Sequence, residues 1–306
     1  MHWRKSLPVR SAFIDELVTL AETHDNIALV VGDLGFSVIE PFADRFPDRF
    51  INAGVAEQNM TGMAAGMASE GYHVFTYSIA NFPTFRCAEQ VRNDVDYHKL
   101  PVTVVAVGGG VSYGALGYSH HAVQDYALMR TMPTMLIAAP GDPYEVRACL
   151  RYLVANPQPS YLRIGKAGEP VFHQQVPDVA PGRWIRVSPD KGDSGLALLS
   201  TGAALGSAMD RASHDPDYAH HAVWSLPLWS MASKPFQPAQ IASFDQVVTM
   251  EDHLPDGGFG SWMRESIAAK PELAARLRTI ALSPDVCGTV GSQATLHRLG
   301  GLSRAA

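Results

Sequence analysis

Short apolar runs alternate with helix-like segments along the first half of the chain. "NIALVVGD", "GYHVFTYS", "LPVTVVAVGG", "PTMLIAAPG" and "PSYLRIGK" read as strands, and helical patterns begin near Glu57, Thr84, Val123 and Pro143 between them. Continuous Val/Ile/Leu strands separated by helices predict a parallel sheet covered on both faces. From about Ala167 to Ser194 the alternation stops. "EPVFHQQVPDVAPGRWIRVSPDKGDSG" is rich in Pro, Gly and polar residues, which predicts a linker over 171–194. A second alternating unit follows, with strands "GLALLSTG", "AVWSLPL", "QVVTMED" and "RTIALS" and helices beginning near Ala203, Gly258 and Ser292. The expected architecture is α/β: two doubly wound domains, 1–170 and a smaller one at 195–306.

Composition narrows the function. With 306 residues, 46% hydrophobic and 18% charged, the chain has ample core for a globular protein. A formal net charge of −6 and no basic run argue against nucleic acid and against an anionic membrane surface. The start, "MHWRKSLPVR", carries positive charge with no apolar stretch behind it, so it does not read as a signal peptide. No window approaches the roughly 20 apolar residues of a membrane span. Three cysteines, Cys87, Cys149 and Cys287, are widely spaced and lack zinc-ligand spacing, which suits a reducing, cytoplasmic setting.

In open parallel sheets ligands bind at the carboxyl ends of strands. That end collects "GDLGFS", "YSIANFPTF" and "GGGVSYGALGYSHH". The five glycines of the last could cradle a phosphate, but they match no established phosphate-loop spacing, and a plain connection is the simpler reading. Taken alone, Glu57 reads as an acid in the first turn of a helix, stabilised by the macrodipole by about 0.3–1 kcal/mol. His120 and His121 read as a cap or packed rings, and Phe82 and Phe85 as core. Met60, Gly62, Ala64, Ala65, Gly66 and Ala68 form a smooth run suited to close packing of a buried helix.

The order of these pieces changes the reading. "INAGVAEQNMTGMAAGMASEGYHVF", then "NFPTFRCAEQVRND", then "GYSHHAVQDYALMRTMPTMLIAAPGDPYE" resembles the pyrimidine-binding domain of transketolases, and the remainder, with "VVTMEDHLPDGGFGS", is similar to their C-terminal domain. The resemblance implies thiamine diphosphate. Glu57 would hydrogen-bond N1′ of its aminopyrimidine, so that the 4′-imino nitrogen can take the proton from C2 and form the ylide that attacks a ketose carbonyl. An apolar setting would favour the protonated form of Glu57. Phe82 and Phe85 would pack on the pyrimidine, and Asp33 and Leu34 would border the cofactor pocket. His120, within "GYSH", would hydrogen-bond the substrate carbonyl or relay protons near C2.

The same resemblance implies a partner. Transketolases are about twice as long, and their first half grips diphosphate and metal through a Gly-Asp-Gly motif. This chain has "GDL", "GDP" and "GDS" only. It therefore resembles the second component of a split transketolase, with the diphosphate and Mg²⁺ held by a diphosphate-binding subunit in an α2β2 assembly. Arg10, Ser37 and Lys166 fall where the family places groups that hold a sugar phosphate, and His121 falls among the substrate-binding residues. Gly108 and Leu116 stand where the family offers a histidine and an aspartate, which points away from ordinary pentose phosphates. Two other readings share the fold: a 2-oxoacid dehydrogenase β subunit or deoxyxylulose-phosphate-synthase-like enzyme, and a non-catalytic partner subunit.

Overall fold

The computed structural model describes residues 8–166, 168–188 and 195–303. Residues 1–7 of the basic start and residues 189–194 of the expected linker lie outside them. The described strands form two sheets. The first holds β1 (Ile27–Val31), β2 (Phe50–Asn52), β3 (His73–Ile79), β4 (Val102–Val107), β5 (Leu136–Ala138), β6 (Ser160–Ile164) and β10 (Leu228–Trp229), in the order β10-β5-β6-β4-β3-β1-β2. The second holds β7 (Ile185–Arg186), β8 (Leu196–Ser200), β9 (Ala222–Ser225), β11 (Gln246–Met250) and β12 (Leu277–Ile280), in the order β12-β11-β8-β9-β7. Pairing is parallel except for β10 on β5 and β7 on β9. β1, β4 and β6 are buried along their whole length, the burial that continuous apolar runs demand in a doubly covered sheet. Among the described residues no helix is long and apolar enough to cross a membrane.

The helices Glu57–Ser69, Pro143–Ala155, Ala204–His214, Phe259–Ser266 and Gln293–Leu299 start where the pattern places them. The segment expected near Thr84 opens as a 3₁₀ turn, Phe85–Cys87, and the one near Val123 is short, Asp125–Met129. The helix Val9–Ala21 is an addition to the predicted elements. Its apolar face packs under the first sheet, and its Glu16 takes Arg147 at 2.9 Å and Arg151 at 2.6 Å from the helix Pro143–Ala155.

"AVWSLPL" is not one strand. Pro227 divides it, because its ring removes a ladder donor. β9 stays in the second sheet, while β10 crosses to the first and pairs Leu228 with Ala138 and Trp229 with Ile137. Ile185–Arg186, within the stretch read as a linker, pairs with β9 and so belongs to the second sheet.

The two halves share one core. Tyr126, Trp229, Phe259 and Trp262 join it, with Trp229 and Trp262 5.2 Å apart. At their junction lies a fully buried cation, Arg163, at the end of β6. Its Nε meets Asp125 at 2.6 Å, Nη1 meets Asp252 at 2.5 Å, and Nη2 donates to Ala122 O at 2.8 Å. Its guanidinium also lies over the Tyr126 ring, 4.3 Å from the centroid. The "GGG" triplet owes its composition to this packing: a Cβ on Gly109 would collide with Arg163, and one on Gly110 with Asp252. The glycines at 109 and 110 are therefore set by packing, and the loop there is not a slack connection.

Arg163→Met leaves Asp125 and Asp252 buried beside an apolar chain. We expect a loss of about 3–5 kcal/mol, the cost of breaking a buried ion pair from one side. Urea unfolding measures it; a loss under about 1 kcal/mol would show that the two carboxylates find other partners.

Candidate active site

The carboxyl ends of β1, β3, β4 and β6 open onto the loops that carry the candidate residues. Glu57 heads the helix Glu57–Ser69, where the macrodipole favours an acid. It is 2% exposed, so its carboxylate needs a partner. The partner is Arg86, whose Nη1 lies 2.6 Å from Glu57 Oε2. The surroundings are therefore not simply apolar, contrary to the expectation drawn from the neighbouring small residues. No sequence pattern marks Arg86, because 29 residues separate the pair.

Phe82 is half-buried and Phe85 is 47% exposed. The Arg86 guanidinium sits over the Phe82 ring, 4.5 Å from its centroid, and the His120 imidazole meets the same ring edge-on at 5.2 Å. Asn81 Nδ2 donates to Ser119 O at 2.8 Å and ties the two loops together. Glu57, Arg86, Phe82 and His120 thus form one continuous group. His121 turns the other way. It is 1% exposed and packs beside Tyr118, and burial pushes its imidazole below the usual range.

The loop after β1 is strained. Asp33 and Ser37 have φ of 54° and 66°, and such conformations cluster at functional loops. Asn52 secures the first: its Oδ1 accepts from Asp33 N at 3.1 Å, and its Nδ2 donates to Asp33 Oδ1 at 3.0 Å. Leu34 is half-buried against the core. Ser37 N already donates to Glu40 at 2.7 Å, so this N–H is committed to a carboxylate and not offered to an anion.

Tyr113 organises the remaining candidates. Its ring covers Gly108, whose φ is 75°, and a Cβ there would run into the ring. Lys166 Nζ lies 4.7 Å from the Tyr113 centroid, and His120 faces the ring at 6.4 Å. Burial raises the Tyr113 hydroxyl above its usual range, opposed by nearby Arg10. Arg10 has a buried, unpartnered Nε. Glu169 stands close enough to feel that cation, while its burial pushes its carboxyl up. Leu116, on the turn Gly114–Leu116, is 56% exposed. Tyr113 therefore covers Gly108, the position where the resemblance implied a histidine.

Among the described residues no group of three or more His, Cys, Asp or Glu side chains is arranged to hold a metal ion. The arrangement can hold a planar nitrogenous ring by its edge at Glu57 and by its face at Phe82, with His120 nearby and the cations Arg10 and Lys166 farther out.

Comparison with known proteins agrees. Residues 5–168 match the family described as transketolase, pyrimidine binding domain. The chain is 34% identical to a putative transketolase C-terminal section of Methanocaldococcus jannaschii, over 96% of this chain and 92% of that protein. It is 31% identical to one of the subunits of an apulose-4-phosphate transketolase of Phocaeicola vulgatus, over 86% of this chain and 84% of that one. A solved structure described as a split gene transketolase, inactive beta4 tetramer, superposes with a TM-score of 0.83 at 27% identity, covering 98% of this chain and 95% of the other.

Gly108→Ala forces a Cβ toward Tyr113 at a backbone angle that disfavours side chains. We expect it to destabilise the chain by about 1–3 kcal/mol. Tyr113→Ala should recover part of that loss, and a double-mutant cycle should show coupling above about 0.5 kcal/mol. Additive effects would mean the ring does not define the space.

Proposed function

The chain belongs to the transketolase family, and from that membership we propose that it is the pyrimidine-binding subunit of a split transketolase-type enzyme that transfers a two-carbon ketol unit. The observation that carries this reading is the buried carboxylate of Glu57, set at a helix head beside Phe82 and His120. That set fits the aminopyrimidine half of thiamine diphosphate. When bound, the cofactor supplies the carbon that attacks a carbonyl and carries the two-carbon unit. Glu57 would share one proton with N1′ of the pyrimidine, donating it from the carboxyl or holding it as carboxylate against N1′–H. Phe82 and Phe85 hold the ring face, with Asp33 and Leu34 at the border of its pocket. His120 donates to, or takes a proton from, the substrate oxygen. Arg10 and Lys166 favour an anionic end group.

The chain lacks a Gly-Asp-Gly segment. We assign the diphosphate and Mg²⁺ to a separate diphosphate-binding subunit, in an α2β2 assembly. The inactivity named for the β-only relative supports this dependence. So does one open helix face. Met60, Ala64, Ala65 and Ala68 are buried, but a Cβ at Gly62 or Gly66 would meet nothing within 4 Å, and Val55 nearby is 73% exposed. The helix is therefore buried on one side only, and the small residues leave room for a second chain. The free cysteines Cys87, Cys149 and Cys287 fit a cytoplasmic setting.

The substrate differs from the usual pentose phosphates. Tyr113 over Gly108 and the apolar Leu116 replace groups that would meet a polyol, and an unpaired hydroxyl costs about 1–3 kcal/mol once the partner subunit covers the exposed Leu116 from water. The test is co-purification with the diphosphate-binding subunit and a donor screen. Cofactor-dependent ketol transfer favouring a less hydroxylated sugar supports the reading; turnover by this chain alone, or a preference for xylulose 5-phosphate unaffected by Leu116→Asp, overturns it.

Glu57→Gln keeps the shape and removes the shared proton. We expect the reconstituted complex to lose about 10²–10⁴ in rate, with an unchanged melting transition. Exchange of the bound cofactor's C2 proton gives the direct readout, and an unchanged rate removes Glu57 from the chemistry.

Gly66→Leu should raise the stability of the lone chain by about 0.5–1 kcal/mol, because glycine is a poor helix former. It should also block assembly by filling the open face. Sedimentation with the partner decides; normal assembly would move the interface elsewhere.

A further inference from the structure

We propose that Arg86 is a built-in occupant of the ring-binding site, which it must vacate before a ligand ring can enter. The inference rests on the reading of Glu57 and Phe82 as that site. A planar ring there needs an edge on the Glu57 carboxylate and a face on Phe82. Arg86 holds both at once, with Nη1 2.6 Å from Glu57 Oε2 and Cζ 4.5 Å from the Phe82 centroid. The match is chemical. A guanidinium is planar, presents N–H donors along an N–C–N edge, and stacks on aromatic faces. An aminopyrimidine protonated at N1′ is likewise planar, stacks on aromatic faces and presents an N–H donor from that ring nitrogen.

The pair is uneven in exposure. The Glu57 side chain is 2% exposed and that of Arg86 is 44% exposed. Arg86 can therefore leave by turning its side chain into solvent, without disturbing the core. Glu57 cannot leave, and unpaired it would be a buried charge. Arg86 removes that penalty in the ligand-free chain, and an incoming ring takes over the role. The site thereby selects planar cations that present an N–H donor to the carboxylate, an N1′-protonated aminopyrimidine, amidinium or guanidinium, and each competes with an internal cation.

Thiamine is the probe, since it carries the aminopyrimidine but no diphosphate and needs no metal site. Binding to the full-length chain is measured by saturation-transfer NMR titration for wild type, Arg86→Ala, Arg86→Gln and Arg86→Lys, with thermal unfolding to confirm that each is folded. We expect thiamine to bind about tenfold tighter to Arg86→Ala and Arg86→Gln, from loss of a half-exposed ion pair and its stacking contact. Arg86→Lys should gain less, because the ammonium keeps the ion pair without the planar stack. Ethylguanidinium should displace thiamine from Arg86→Ala. Equal or weaker binding by the Ala and Gln variants would overturn the inference and make Arg86 an anchor, while leaving the ring site standing. Binding by Arg86→Ala that survives an added Glu57→Gln, or no binding by any variant, would sink the ring site and the inference together.

Discussion

Arg163 is the constraint on which the arrangement depends. A guanidinium with three charged or carbonyl partners and almost no solvent cannot shift without leaving a buried charge exposed to low dielectric. One of its carboxylates, Asp125, heads a short helix of the first half. The other, Asp252, follows β11 of the second half. The ion pair therefore sets the register of one sheet against the other. A wholly apolar substitute could match its stability, but it would lack the directional bonds that fix the angle.

The consequences run outward from that point. Arg163 and Asp252 press on the loop after β4, so Gly109 and Gly110 cannot carry side chains. The chain turns at Gly108 and brings Tyr113 back over it. Tyr113 then stands between Lys166, Arg10 and His120. The loop after β4 is thus shaped by a buried ion-pair network at the junction of the two sheets.

The inner part answers a different demand. A carboxylate buried at a helix head must be paired to be tolerated. Arg86 satisfies that demand in the lone chain while staying half-exposed. The helix behind Glu57 meets a parallel demand at the level of assembly: one face packs on the sheet, and the other is left smooth. The lone chain thus holds a buried acid with a half-exposed cation, on a helix packed on one face and open on the other.

Much of this was legible in the sequence because it is local. Apolar runs of β-branched residues predict buried parallel strands through side-chain alternation and burial alone. Asp142 before Pro143 and Ser292 before Gln293 cap their helices through bonds three residues long. Glu57 is visible locally as an acid at the head of a smooth helix, and the resemblance to transketolases is what singled it out. What the tertiary structure decided is non-local. Arg86 reaches Glu57 across 29 positions and Arg163 reaches Asp252 across 89. Trp229 leaves its own unit for the edge of the other sheet, and Gly62 and Gly66 face open space where burial was expected. Hydrophobic period fixes which face of an element turns inward. It carries no information on which distant charge or ring will stand opposite, because that choice is made only when the sheets close on each other.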